Sequence, residues 1–135
     1  MLAKLFRLRP PPAADETAGD KAGRLFASGY NCAQSVLMAT TDIDDPALLE
    51  MADAFGGGIG DTQCLCGAIT GGVMALGLKG KGKKAAALVE AFKAHNKVTC
   101  CKVLSRSYTW NSKEHLANCR RITEETAEEV AKLLR

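Results

Sequence analysis

One stretch constrains the fold more than any other: Gly56-Gly57-Gly58-Ile59-Gly60-Asp61-Thr62-Gln63-Cys64-Leu65-Cys66-Gly67-Ala68-Ile69-Thr70-Gly71-Gly72. A glycine-rich loop here delivers two cysteines to the start of a helix expected over 64–79. Glycine inside a helix costs about 1 kcal/mol relative to alanine, so several of them together need a reason. Gly67, Gly71 and Ala75 fall at i, i+4 and i+8, on one face. A face that small lets another backbone come close, which predicts a buried central helix with Cys66 near its N-terminus.

The rest of the chain reads as helix. Ala18, Ala22, Leu25 and Phe26 set a helical period over 15–29, with Gly29 suited to its end. Asn31 can cap a helix over 32–41 that begins at Cys32. Pro46 suits the first turn of a third helix, whose inner stripe is Leu48, Leu49, Ala52 and Phe55. After the central helix, Lys79 to Lys84 form a polar turn, and Leu88, Val89 and Phe92 mark a helix over 82–97. Thr99 can cap a short helix starting at Cys100-Cys101 that carries Val103 and Leu104. Tyr108 and Trp110 are expected to pack. A last helix begins at Asn111 or Ser112, with Leu116, Cys119, Thr126, Val130 and Leu133 near one stripe and a kink near Ile122-Thr123. No period-2 run and no internal repeat occurs. The expected architecture is all-α, a compact bundle of about five to six helices. Residues 15–135 make one domain, and 1–14, with Pro10-Pro11-Pro12, form an N-terminal arm.

Composition narrows the function classes. The chain has 135 residues, 47% of them hydrophobic and only 5% aromatic, which suits close helix packing. Its net charge of +3 equals the three basic residues Lys4, Arg7 and Arg9 near the N-terminus, so the remainder is neutral. No basic stripe argues for nucleic-acid binding. No apolar run reaches the roughly 18 residues of a transmembrane segment, and 1–9 lacks a signal-peptide core. A cytoplasmic location is expected. The Gly56–Gly60 run follows no strand and lacks the Gly-Lys-Ser/Thr ending of a phosphate loop. His95 and His115 read as solvated, although His115 lies four positions before Cys119 and could reach a site there. Glu124, Glu125, Glu128 and Glu129 read as a solvated face.

The six cysteines carry the chemical signal. In a reducing compartment they are expected to be reduced, metal-bound or redox-active rather than structurally bridged. Cys32, Cys64/Cys66 and Cys100/Cys101 fall at expected helix N-termini, where the dipole and free N–H groups favour thiolate. Arg120 and Arg121 act in the same direction on Cys119. A lowered thiol pKa serves both nucleophilic sulfur chemistry and metal ligation. The spacings match neither a zinc finger nor a Cys-x-x-Cys pair, so tertiary packing must assemble any joint site.

Tyr30-Asn31-Cys32-Ala33-Gln34-Ser35-Val36-Leu37, Phe55 to Gly60, Cys66-Gly67-Ala68-Ile69-Thr70-Gly71, Cys101-Lys102-Val103-Leu104 and Cys119 follow one another in order. Together this set resembles the redox-active four-cysteine proteins named for their Cys-Gly-Ala-x-x-Gly motif. The resemblance covers about 17–134. It implies a site of Cys32, Cys66, Cys101 and Cys119, as catalytic thiols or metal ligands, with Cys64 and Cys100 as extras able to substitute or join. It implies redox or metal chemistry without naming a reaction. Three readings follow: a thiol-based oxidoreductase working with an unidentified redox partner, a thiolate protein holding zinc or an iron–sulfur cluster, or a helical interaction module with structural cysteines. A homodimer is compatible with all three.

Overall fold

A computed structural model describes residues 15–135; the N-terminal arm expected over 1–14 lies outside the described residues. The described chain is all-helical, with no strand. Six helices have eight residues or more: α1 (Ala18–Ala27), α2 (Cys32–Thr41), α3 (Pro46–Asp53), α4 (Gly67–Leu78), α5 (Ala85–Asn96) and α7 (Lys113–Leu134). A single turn, α6 (Cys101–Leu104), precedes the last. Short 3-10 turns at Ile59–Asp61 and Gly82–Lys84 fill two of the connections.

Local chemistry sets the helix starts. Thr17 and Asp20 form a reciprocal capping box on α1, and Asn31 and Gln34 form another on α2. Each box satisfies two orphan N–H donors. The Asp45 carboxylate accepts from the Ala47 N–H, with Pro46 in the first turn of α3. Ser112 accepts from the His115 N–H at the start of α7. Asn31, Pro46 and Ser112 hold the expected positions, and the Thr17 and Asp45 caps are additional to them. Several boundaries differ: α1 covers 18–27 rather than 15–29, and α5 covers 85–96 rather than 82–97. α4 starts at Gly67 rather than 64, so Cys66 is its N-cap and Cys64 stays in the loop. The N-cap of α6 is Cys100, not Thr99. No break occurs near Ile122-Thr123: α7 is continuous, and the Thr123 and Thr126 hydroxyls donate to the carbonyls of Cys119 and Ile122 within it, both at 2.7 Å.

Helix α4 is the centre of the bundle, packed by α2 on one side and by α5 and α7 on the other. The small face does what its spacing predicts. A Cβ at Gly71 would fall 2.8 Å from the Ala33 Cα and 2.9 Å from its carbonyl carbon. At Gly72 it would meet Leu88 at 2.6 Å and Val130 at 2.8 Å. Glycine therefore lets three helices close on α4, and Ala33, Val36, Leu37, Ile69, Leu76, Leu88 and Val130 form one buried core.

Several exposures depart from expectation. Val103 and Leu116 are exposed, because the single turn of α6 and the first turns of α7 leave one side uncovered. Tyr108 and Trp110 are also exposed, although Trp110 lies against the His115 ring. The glutamates of α7 are not simply solvated. Glu128 accepts a 2.6 Å hydrogen bond from the Gly19 N–H, and Glu124 fills the space beside Gly23. A carboxylate at the N-terminus of α1 satisfies an orphan donor and suits the dipole. His95 is exposed as expected and pairs with Glu129.

Candidate functional site

The loop ahead of α4 is closed on itself by backbone hydrogen bonds. The Gln63 N–H donates to the Gly57 carbonyl (2.8 Å), the Ile59 N–H to the Cys64 carbonyl (2.9 Å) and the Gly60 N–H to the Ala54 carbonyl (2.8 Å). Gly58 has φ +85°, and a Cβ there would strike the Cys64 carbonyl oxygen at 2.9 Å. Only glycine satisfies both constraints. The exit of this loop runs antiparallel to the segment that enters α6. The Cys66 N–H donates to the Thr99 carbonyl at 2.8 Å, and the Lys102 N–H donates to the Gln63 carbonyl at 2.9 Å.

These two tied segments place Cys66 and Cys101 side by side. Cys32 reaches the same place from the first position of α2, since Gly67 leaves room for its sulfur: a Cβ there would lie 2.6 Å from Cys32 Sγ. Cys119 comes from the second turn of α7. All four sulfur-bearing residues line one half-open cavity of about 350 Å³. Phe26, Leu104, Leu116 and Ile122 supply its apolar wall, and Asp53, Asp61 and His115 its polar side. The structure thus brings together Cys32, Cys66, Cys101 and Cys119, all as free thiols. The extras go elsewhere. Cys64 and Cys100 are joined to each other as a disulfide, with Cα atoms 4.2 Å apart, and neither lines the cavity. The two extras neither substitute for Cys66 or Cys101 nor join them. Nothing local marks that pair, because its partners meet only through the packing of two loops 36 residues apart in sequence.

The thiolate expectation is corrected as well. Cys101 alone is pulled down, from the usual 9.0 to about 7. The chief cause is a hydrogen bond from the Cys66 thiol; the Gly67 N–H and its own N–H add to it, against the cost of burial. Cys66 is raised for the same reason, as donor to Cys101, and by burial. Burial pushes Cys32 up to about 12 and Cys119 to about 11, each with a contribution from the charge on Cys101. At Cys32 desolvation outweighs the helix N-terminus, at Cys66 donation to Cys101 and desolvation do so together, and Arg120 and Arg121 do not lower Cys119.

His115 is the site residue whose environment the sequence misjudges. It is 3% exposed, not solvated. Its Nδ1 accepts the Asn111 N–H at 2.8 Å, so the neutral ring carries its proton on Nε2, which lies 3.4 Å from Cys119 Sγ. Burial lowers its pKa and keeps it neutral. The i, i+4 spacing from His115 to Cys119 is the sequence signal for this contact. Ser105, buried and lining the same cavity as Cys119, leaves no such signal.

A zinc ion or iron–sulfur cluster needs thiolates gathered at bonding distance in tetrahedral array. Among the described residues no group of three or more His, Cys, Asp or Glu side chains is so arranged. The four sulfurs share a cavity wall without forming a ligand set. No described helix is long and apolar enough to cross a membrane.

The fold and the site together define an all-helical domain with four free thiols around one cavity. The chain belongs to the family described as "Putative redox-active protein (C_GCAxxG_C_C)", whose model matches residues 30–133. No curated protein and no solved structure matches it.

Proposed function

We propose that the protein is a dithiol–disulfide oxidoreductase in which Cys101 attacks and Cys66 resolves, on a small disulfide seated in the cavity. The observation that carries this reading is that Cys66 and Cys101 stand as free thiols on two hydrogen-bonded segments at the wall of one open cavity. The attacking group in thiol–disulfide exchange is a thiolate with a pKa near ambient pH, and Cys101 meets that condition. Cys101 Sγ attacks one sulfur of R–S–S–R′. A mixed disulfide with R forms, and R′S⁻ leaves and takes a proton from solvent. Cys66 then gives up its proton and attacks Cys101 Sγ. RS⁻ leaves, is protonated, and the Cys66–Cys101 disulfide remains. The substrate gains two electrons and the protein dithiol loses two.

Cys32 and Cys119 belong to the same proposed site. As protonated thiols at neutral pH they serve as later partners in exchange, not as first attackers. The reading carries with it a redox partner that restores the dithiol and a reducing compartment, the cytoplasm. Thiol counting with peptide mapping tests it. Treatment with dithiodipyridine should lower the free thiols from four to two, with Cys66 and Cys101 recovered as a disulfide. A Cys66→Ser variant should stop at a Cys101 adduct. Four thiols persisting in the folded protein, or a stable adduct at another cysteine, would overturn the assignment.

A further inference from the structure

The Cys64–Cys100 disulfide joins the same two segments that carry Cys66 and Cys101, one or two residues away from each. We propose that Cys64 and Cys100 are a second redox couple, an outer pair that passes electrons from an external dithiol to the inner Cys66–Cys101 pair. This rests on the function proposed above. Three observations support it. The two pairs lie across the same antiparallel segments, held in register by the Cys66–Thr99 and Lys102–Gln63 hydrogen bonds. Cys66 and Cys101 are buried and line the cavity, whereas Cys64 and Cys100 are half-buried and lie outside it. Cys64 and Cys100 stand within bonding reach of each other, with Cα atoms 4.2 Å apart, while Cys66 and Cys101 carry free thiols.

The exchange balances within the chain. With the inner pair oxidised and the outer reduced, the Cys64 thiolate attacks Cys101 Sγ. A Cys64–Cys101 disulfide forms and Cys66 leaves as thiolate and is protonated. Cys100 then gives up its proton and attacks Cys64 Sγ, and Cys101 leaves as thiolate. Two electrons have moved inward, and the inner dithiol is ready for another substrate. An external dithiol then reduces the Cys64–Cys100 disulfide, itself becoming a disulfide. Attack of Cys64 on Cys101 avoids the strained ring that a bridge between the neighbours Cys100 and Cys101 would require.

The full chain is oxidised, titrated with dithiothreitol in sub-stoichiometric steps, quenched with acid, alkylated and mapped by mass spectrometry. The expected result is that Cys64–Cys100 and Cys66–Cys101 disulfides exchange during the titration. In a Cys100→Ser variant a Cys64–Cys101 disulfide should accumulate, because its resolving thiol is gone. Recovery of Cys64–Cys100 unchanged at every step, while the inner pair cycles, would make the outer bridge a fixed clamp and overturn the relay alone. A Cys64→Ser/Cys100→Ser variant separates the two readings. If its inner pair still loses two thiols to dithiodipyridine, the inner chemistry stands whatever the relay does. If Cys66 and Cys101 form no disulfide in it or in the unmodified chain, both readings fall.

Discussion

Around one cavity, burial raises the proton affinity of Cys32 and Cys119, donation to Cys101 together with burial raises that of Cys66, and Cys101 is drawn down to about 7. Alkylation by iodoacetamide near neutral pH should therefore fall on Cys101 well before the other three free thiols, read by peptide mapping. The Cys66 thiol is the largest cause of that lowering, so Cys66→Ala should move the midpoint of Cys101 alkylation upward toward 9.0. An unmoved midpoint would assign the lowering to the backbone N–H groups instead. Stability follows from the same values. Cys101 is depressed in the folded state, so its contribution is present above its unfolded value near 9 and is lost as pH falls through 7. Cys32 and Cys119 are raised, so theirs is complete below 9 and is lost as pH rises toward 11 and 12. The thiols by themselves place maximum stability near pH 9. Cys32→Ala should flatten the fall in melting temperature above that pH relative to the unmodified chain.

At the scale of the element, α4 carries glycines of two kinds. Gly71 faces the Ala33 backbone, which cannot swing aside as a side chain can. Gly71→Leu should cost about 1–3 kcal/mol or more by overpacking, read as a lowered denaturation midpoint. Gly77 is in the same helix, exposed, with nothing within 4 Å of an added Cβ. Gly77→Ala should stabilise by about 0.5–1 kcal/mol through helix propensity and a less flexible unfolded chain. Opposite signs at the two sites would confirm that α4 is central on one face and free on another. Asn31 serves both a helix and a loop: it caps α2 and donates through Nδ2 to the Asp53 carbonyl at 3.2 Å. Loss of the cap in Asn31→Ala should cost about 1–2 kcal/mol, and because Asn31 also lines the cavity, the alkylation rate of Cys101 should change with it.

On the whole-molecule scale, helices from four parts of the chain meet at one sulfur-lined cavity. The bundle predicts a circular dichroism spectrum of helix with no strand contribution from residues 15–135. Metal content is the other global check. Protein prepared without oxygen should carry well under one equivalent of iron or zinc, because the four sulfurs share a wall without forming a ligand set. A stoichiometric metal or a coloured cluster would show that they close into a centre and would displace the exchange chemistry proposed here.

Helix class, cap positions and the close face of α4 are legible in the residues, because each depends on neighbours within a turn or two. Asn31 with Gln34, Pro46 after Asp45, and Gly67 with Gly71 state their roles in local spacing. The ordered motifs likewise single out Cys32, Cys66, Cys101 and Cys119 and separate them from Cys64 and Cys100. Tertiary structure alone decides which thiol becomes the thiolate. A helix start favours the charge, but the depth of burial and the hydrogen bond from Cys66 to Cys101 belong to segments far apart in sequence. For the same reason His115 turns inward against Cys119, Glu128 ends at Gly19, and Cys64 finds Cys100. Periodicity reports which side of a helix is apolar. Which polar groups are desolvated together, and therefore which sulfur reacts, is settled only when the helices close on α4.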